Sequence, residues 1–394
     1  MNTVRADAPE TMRKSGLRIA FVISALRAGG SERQASLLCS YWAEQGRAVT
    51  LITLDNTPDH YGLAPGVRRI NVRPQNLSLR RLRLLWHDLR ALRRTLRQEN
   101  PDCIISFLDA TNYKTIAAAS GLGIPLIASE RTAPTAYDRL RSSALFHKLA
   151  RRLLYPRATA LVAQTQSVAK WMRERNLSGN VWTIPNILET REALSPAPRD
   201  HTVLAVGRFS HEKGHDVLVR GFAAVAAAHP DWRLRLVGDG RNRGKLESLV
   251  AALGIADRVD FAGTKKNLDE EYRRAGIFVL PSRLEGFPNV LLEAMRADCP
   301  ILCSDCPAAS REIIMDSHDG MLFTSDNVED LARKLDRLMS DASLRNALSA
   351  SAASRLDRYS PRTILAEWDR LFASRRLCPE KSDVKPAANP PTCR

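Results

Sequence analysis

Short apolar runs of strand length, each followed by a stretch of helical periodicity, recur along almost the whole of this chain. In the first half they are Leu17 to Ala25, Val49 to Leu54, Cys103 to Leu108, Pro125 to Ser129, Ala160 to Ala163 and Val181 to Ile184. In the second half they are Val203 to Gly207, Leu234 to Val237, Val259 to Ala262, Ile277 to Leu280 and Pro300 to Cys303. The runs are continuous rather than alternating, which is the pattern of strands covered on both faces. Strands of that kind separated by helices form doubly wound parallel sheets, so the predicted class is α/β. At 394 residues, 44% of them apolar, the chain is long for one core and sufficient for two. Leu188 to His201 has no periodicity and carries two prolines. It is read as a linker between a domain of residues 16–187 and one of 201–359, and the cleft beside it is where a ligand is expected. Residues 1–15 mix Arg5, Asp7, Glu10 and Arg13 with Pro9 and have no apolar run, while 378–394 are rich in proline and charge. Both are expected to be disordered, and the first does not read as a signal peptide.

The formal charge of +16 comes mostly from arginine and calls for an anionic partner: a nucleic acid, an acidic membrane surface or a phosphorylated substrate. The chain shows no aromatic–basic interleaving and no reading motif, so nucleic acid is not the expected partner. Two amphipathic segments concentrate the charge. Residues 80–97 hold seven arginines against one acid, Asp88, with Leu82, Leu85, Leu89, Leu92 and Leu96 at helical spacing. Residues 139–157 hold six basic residues and no acid, interleaved with Leu145, Phe146, Leu149, Leu153, Leu154 and Tyr155. An apolar stripe beside a cationic face can lie in an anionic membrane interface. The alternative, leucines buried in the core, fits the first segment better than the second. No run approaches the roughly 20 apolar residues of a membrane span. Seven scattered cysteines argue against a disulfide framework and for a reducing, cytoplasmic setting. Cys303 and Cys306 have the spacing of half a zinc site, but no second pair follows at ligand spacing, so a plain strand end is the better reading.

Chemistry-bearing residues gather where predicted strands end. The strand Ile277 to Leu280 runs into Pro281-Ser282-Arg283-Leu284-Glu285-Gly286-Phe287-Pro288-Asn289-Val290-Leu291-Leu292-Glu293. Pro288 marks a first helical turn, which puts Glu285 on the loop and Glu293 about a turn into the helix. The amides of Phe287, Asn289 and Val290 then face the loop mouth, a setting that attracts anions and hydroxyl oxygens. A carboxylate one turn in can accept hydrogen bonds from a ribose diol. Gly29-Gly30 closes the first strand ahead of a helix starting at Ser31, where Ser31 and Gln34 have capping-box spacing. The glycine pair permits close approach of a diphosphate or sugar, or is an ordinary tight turn. Gly207-Arg208 and Lys213-Gly214 leave another strand end, where two cations of different reach could clamp a diphosphate leaving group or form a solvated loop. His211 and His215 fit helix-start surface residues better than catalysts. Gly238-Asp239-Gly240 reads as a strand-end turn, and the loop from Gly263 to Asn267 is placed near a nucleotide base.

Taken in order, Gly29-Gly30, Gly207-Arg208, Lys213-Gly214, Val237-Gly238-Asp239-Gly240 and the Glu-x7-Glu element from Glu285 to Glu293 resemble the retaining glycosyltransferases of the GT-B type, specifically glycosyltransferase family 4. The resemblance implies two Rossmann-like domains facing across a cleft, with a helix near 360–377 returning to the first. It implies that Glu293 binds the ribose hydroxyls of a nucleotide-sugar, that Glu285 lies against the transferred sugar, and that Arg208 and Lys213 hold the diphosphate. Gly29, Gly30, Gly207, Gly238, Asn267, Gly286, Phe287, Pro288, Asn289 and Val290 would complete the donor site. No metal or other cofactor is expected, because cations and helix starts neutralise the leaving group. Retention without an enzyme nucleophile implies same-face attack.

Members often carry a histidine after the first-domain strand that here ends in Ala128-Ser129-Glu130-Arg131-Thr132. The Ser-Glu-Arg variant is similar to a subset acting on lipid-linked oligosaccharides, in which Arg131 or Glu130 would replace the imidazole near the acceptor. Ser106, Asp109 and Asn112 are further acceptor-side candidates, or else a polar strand end with a helix cap. The implied activity is transfer of a hexose or N-acetylhexosamine, expected from a UDP-linked donor, to a polyprenyl-diphosphate-linked saccharide at the inner face of the cell membrane. The rivals are a transferase with a soluble acceptor or a GDP-mannose donor, a GT-B epimerase and, outside that class, a basic nucleic-acid-binding protein.

Overall fold

The computed structural model describes residues 16–74, 81–132, 144–190, 198–306 and 309–374. Both termini, the middle half of the linker (191–197), Arg80 and the first part of the 139–157 segment lie outside the described residues. The first domain runs β1 (Arg18–Ile23), α1 (Gly30–Glu44), β2 (Ala48–Thr53), β3 (Val67–Asn71), α2 (Arg81–Glu99), β4 (Cys103–Phe107), α3 (Asp109–Ala119), β5 (Leu126–Ser129), α4 (Ala144–Leu154), β6 (Ala160–Ala163), α5 (Gln166–Glu174) and β7 (Val181–Thr183). The second runs β8 (Asp200–Val206), α6 (His215–Val225), β9 (Arg233–Val237), α7 (Arg243–Ala252), β10 (Val259–Gly263), α8 (Asp269–Arg274), β11 (Ala275–Leu280), α9 (Asn289–Arg296), β12 (Ile301–Ser304), α10 (Ser310–Ile313), β13 (Met321–Phe323), α11 (Val328–Ser340) and α12 (Ala342–Ala353). A final helix, α13 (Pro361–Phe372), follows.

The strands form two parallel sheets ordered β3-β2-β1-β4-β5-β6-β7 and β10-β9-β8-β11-β12-β13. The continuous apolar runs serve two cores at once. In β1, Ile19, Phe21 and Ile23 enter the cluster under α1, while Ala20 and Val22 enter the one under α2 and α3. In β11, Ile277 and Val279 face α6 and α11, and Phe278 and Leu280 face α9. The sequence reading missed β3 and β13. Val67-Arg68-Arg69-Ile70-Asn71 is an edge strand, exposed enough to carry two arginines, and Met321–Phe323 has three residues, too few to register as a run.

The chain crosses back at its end. Ile364, Leu365, Trp368, Leu371 and Phe372 of α13 enter the first-domain core, and the Trp368 and Trp42 rings meet edge-on at 5.5 Å. The domains also touch directly. Glu312 of the second domain accepts from the amides of Gln166 and Ser167 at 2.8 Å each, satisfying free donors at the start of α5. The expected capping box at Ser31 does not form, since Gly29 caps α1 without a side-chain bond. Gln34 is instead buried and exchanges two 2.8 Å hydrogen bonds with the backbone of Ile187, tying α1 to the hinge.

Candidate active site

The carboxyl ends of β1, β8 and β11 open onto the cleft between the sheets, where an open α/β fold binds its ligands. From β11, a buried loop carries Glu285 and Gly286 to Pro288, the N-cap of α9; Pro288 thus precedes the first helical residue, one position earlier than the sequence reading placed it. Glu285 is 7% exposed. Its Oε1 accepts from Lys213 Nζ at 2.6 Å and from Ser282 Oγ at 2.7 Å. Lys213 reaches it from a 3₁₀ turn, His211–Lys213, that follows β8. Glu293 is buried in α9, where it accepts from Tyr272 Oη at 3.2 Å and pairs with Arg33 of α1. Arg208 is exposed on the same rim, and its charge acts across the cleft on Glu32, opposing the burial that raises that carboxyl.

The first domain closes over this rim. Gly286 packs so closely that a β-carbon would lie 2.6 Å from the Arg131 carbonyl oxygen. Arg33 joins Glu293 to Glu189 of the hinge, 2.9 Å away. Burial pulls the Arg33 guanidinium down, but its two carboxylates pull it up by more and keep it cationic. Beyond this pair lies an interdomain cavity of about 710 Å³ bordered by Arg33, Tyr61, Glu189, Lys265 and Glu293. Asn186, 3% exposed, is the centre of a relay across the hinge. Its Oδ1 accepts from Gln164 Nε2 at 2.6 Å and Arg131 Nη1 at 3.0 Å, and its Nδ2 donates to Asn289 Oδ1 at 2.6 Å. Asn289 Nδ2 in turn donates to the Gly30 carbonyl at 3.4 Å.

Of the donor-side candidates, the structure gathers Gly29, Gly30, Arg208, Lys213, Glu285, Gly286, Asn289 and Glu293 around the cleft. Phe287 turns its ring toward Tyr359. Val290 packs on the second-domain core. Asn267 accepts from the Asp269 amide at 2.9 Å, ahead of α8. Gly238, at φ +142°, passes so close to the Gly207 carbonyl that any side chain would collide with it, so the packing of two loops accounts for Gly238; a β-carbon on Gly207 would meet nothing nearer than the His215 ring, at 3.6 Å.

Of the acceptor-side candidates, Ser106, Asn112, Glu130 and Arg131 are buried and Asp109 is half-buried. Ser106 and Asn112 are fully buried and hydrogen-bond to each other at 2.7 Å, with Asn112 also donating to the Ser129 carbonyl at 3.0 Å. Asp109 faces His147 at 3.1 Å and Arg151 at 4.0 Å. Glu130 is buried, accepting from Tyr155 Oη at 2.6 Å and Thr132 Oγ1 at 3.0 Å, and burial raises its pKa against the pull of Arg151. The Arg131 guanidinium stacks on Phe107, 3.5 Å from the ring centre, in a setting whose burial holds it well below its ordinary range. His215, read as a surface residue, is 3% exposed. Cys303 and Cys306 both lie 3.3 Å from Ser310 Oγ, and among the described residues no group of three metal-ligating side chains forms.

Sequence reasoning missed Arg33, Asn186, Ser282 and Tyr272. Arg33 carried a weak signal, a charge in the first turn after Gly29-Gly30; the others carried none.

Two parallel-sheet domains whose strand ends meet at a cleft lined by Glu285, Glu293, Lys213 and Arg208 have the GT-B architecture. The family described as "Glycosyltransferase Family 4" matches residues 28–192, and the one described as "Glycosyl transferases group 1" matches 186–355. The GalNAc-α-(1→4)-GalNAc-α-(1→3)-diNAcBac-PP-undecaprenol α-1,4-N-acetyl-D-galactosaminyltransferase of Campylobacter jejuni is 30% identical over 368 residues, 91% of this chain and 98% of that protein. The chain belongs to glycosyltransferase family 4. In fold it is similar to sucrose-phosphate synthase from Thermosynechococcus elongatus, with TM-score 0.77, 20% identity and 90% and 98% of the two chains covered. It is also similar to HepE of Anabaena in complex with UDP and glucose, with TM-score 0.74, 18% identity and 91% and 100% covered.

Proposed function

We propose that this glycosyltransferase moves a hexose or N-acetylhexosamine, with retention, from a UDP-linked donor to a saccharide carried on a polyprenyl diphosphate. The observation that carries the donor half is the part-buried Glu285–Lys213 pair on the same loop-and-helix rim as Glu293, which faces Gly29-Gly30. The acceptor half is supported by the C. jejuni relative, whose name describes an undecaprenyl-diphosphate-linked substrate. UDP in the HepE complex supports the choice of nucleotide.

In this reading the ribose diol takes the place of the Arg33 guanidinium on Glu293, and the sugar lies against Glu285, whose carboxylate Ser282 and Lys213 hold in one orientation. As the anomeric C–O bond breaks, negative charge collects on the β-phosphate. Lys213 and Arg208 stabilise it from fixed positions, which is worth more than the same contacts in water. The departing phosphate oxygen accepts the proton of the acceptor hydroxyl, which bonds to the anomeric carbon on the face just vacated. Cations of the chain do the work of charge neutralisation here, so the reaction is read as metal-independent. The nucleoside extends into the interdomain cavity toward Lys265.

The same reading sets one face of the first domain against an anionic bilayer on the inner side of the cell membrane. Leu145, Phe146, Leu149 and Leu153 of α4 are all exposed, as is Trp86 of α2, and α3 packs against both helices. Lys148 and Arg152 share the α4 surface, and Arg83, Arg90 and Arg94 surround Trp86. Each basic residue near anionic lipid contributes about 1 kcal/mol before screening. Leu92 and Leu96 of α2, by contrast, are core residues. No described helix is long and apolar enough to cross a membrane.

The test is transfer from a panel of UDP-sugars to an undecaprenyl-diphosphate saccharide, with and without EDTA. The expected result is an α-linked product from an α-linked donor at an EDTA-insensitive rate. Transfer from GDP-mannose but from no UDP-sugar would overturn the donor, and equal rates on a free saccharide without lipid would overturn the acceptor.

A further inference from the structure

We infer that Arg33 makes the donor site selective for nucleoside diphosphates over nucleosides: its guanidinium blocks the acid that receives the ribose, and a ligand that brings its own anion moves it aside. The inference rests on the donor reading above and adds a specificity-determining residue to it. Glu293 is closed from two sides. Arg33 pairs with its Oε1 and the Tyr272 hydroxyl donates to its Oε2 at 3.2 Å, which leaves the Glu293 side chain 8% exposed. A ribose diol reaches that carboxylate only when the guanidinium leaves it.

That exchange has an electrostatic condition. Arg33 is held by two carboxylates, Glu293 and, at 2.9 Å, Glu189 of the hinge. Its side chain is 22% exposed, so water replaces a surrendered carboxylate only in part, and a cation stripped of a partner in such a setting is unfavourable. A nucleoside supplies hydroxyls for Glu293 but no charge for the displaced guanidinium. A nucleoside diphosphate supplies both. The local fold puts Arg33 where that second charge would arrive. It lies in the first turn of α1, with its amide bonded to the Gly29 carbonyl at 3.0 Å, and the Gly30 carbonyl accepts from Asn289 Nδ2 at 3.4 Å where α9 begins. Arg208, one of the two cations assigned to the diphosphate, is near enough to act on Glu32, the residue before Arg33. A guanidinium that keeps Glu189 and exchanges Glu293 for a phosphate stays paired throughout, because its planar fork fits carboxylate and phosphate alike. Toward the ribose Arg33 is a competitor, and toward the diphosphate it is a partner.

The test is calorimetric titration of uridine and of UDP into full-length wild type, Arg33→Ala and Glu189→Gln, each checked for a cooperative melt. If the alanine variant does not melt cooperatively, Arg33→Gln, which keeps much of the bulk and drops the charge, is read in its place. Uridine should bind Arg33→Ala at least tenfold more tightly than wild type, a change of about 1.4 kcal/mol or more, and the preference for UDP over uridine should narrow by a similar factor. In Glu189→Gln the preference should widen, because the displaced guanidinium then depends on the diphosphate alone. A bridge that only holds the domains together would move both ligands alike. A preference unchanged in Arg33→Ala, whichever way the two affinities move together, would therefore overturn the role. So would uridine binding that stays undetected in that variant up to about 10 mM, a weak limit on the affinity scale, or a preference that does not widen in Glu189→Gln. Failure of wild type to bind UDP would overturn the donor reading itself, whereas UDP binding with an unchanged preference would remove only the role of Arg33.

Discussion

Replacing Lys213 by alanine removes the ammonium that lies 2.6 Å from Glu285 Oε1. Two consequences follow, and they differ in kind. The first is structural: Glu285 keeps Ser282 but loses its cation. Breaking a fully buried pair costs about 3–5 kcal/mol, but the Lys213 side chain is 27% exposed, so water compensates and the expected loss is about 1–2 kcal/mol. For a protein of this size that lowers Tm by a few degrees. The second is kinetic. If the ammonium meets charge that develops only as the sugar–phosphate bond breaks, its loss resembles removal of one preorganised donor, about 2.7–4 kcal/mol or roughly 10²–10³ in kcat. A contact made equally to bound donor and transition state would instead raise KM. The assay is steady-state transfer from a UDP-sugar by wild type, Lys213→Ala, Lys213→Arg and Glu285→Gln, each checked for a cooperative melt. Lys213→Arg should recover part of the rate, because the charge returns with different reach. A folded Lys213→Ala enzyme with kcat within about threefold of wild type, under 1 kcal/mol of barrier, would refute the leaving-group role.

Other outcomes are as specific. Asn186→Ala should raise the donor KM about tenfold, because Asn289 loses its 2.6 Å partner, and should cost about 1–3 kcal/mol of stability as Gln164 and Arg131 lose their shared acceptor; kinetics and urea melts read both. Burial, helped by Lys213, lowers His215 from 6.5 to about 4. The unfolded chain thus binds the extra proton below pH 6.5 while the folded one resists it, so stability falls as pH drops through that window, by about 3 kcal/mol in all. Urea midpoints of His215→Gln across the window should lack that component of the slope. Leu145→Glu/Phe146→Glu should cut co-sedimentation with phosphatidylglycerol vesicles at least tenfold, since each exposed apolar side chain that enters lipid contributes about 1.5–3 kcal/mol.

What the sequence made legible was whatever a local pattern encodes. Continuous apolar runs such as those of β1 and β11 are visible because both faces of each strand are buried, so no polar residue interrupts them. Edge strand β3 escaped for the opposite reason, with Arg68 and Arg69 in its middle. Glu285 and Glu293 could be placed because a strand, a glycine and a proline fix the start of α9 within a few residues. The partners of those acids could not: Arg33 is 260 residues from Glu293, and Asn186 is 103 from Asn289. Only the closing of two domains brings such pairs together. Ser106, Asn112 and Glu130 look available at a strand end because the sequence does not show that α3 and α4, helices of the same domain, cover them. His215 was misread because a histidine at a helix start is usually solvated, and nothing local shows that Phe209 packs against it.

In the proposed donor site, Glu293 is where the nucleotide's ribose binds. Calorimetric titration of UDP into wild type and Glu293→Gln tests this most directly, because the amide keeps the size of the side chain and removes its charge. Binding by wild type, weakened at least tenfold in the variant by loss of a charge-assisted hydrogen bond of about 1.5–3 kcal/mol, is the predicted result. Equal affinity of the two proteins, or no nucleotide binding by wild type, would contradict it.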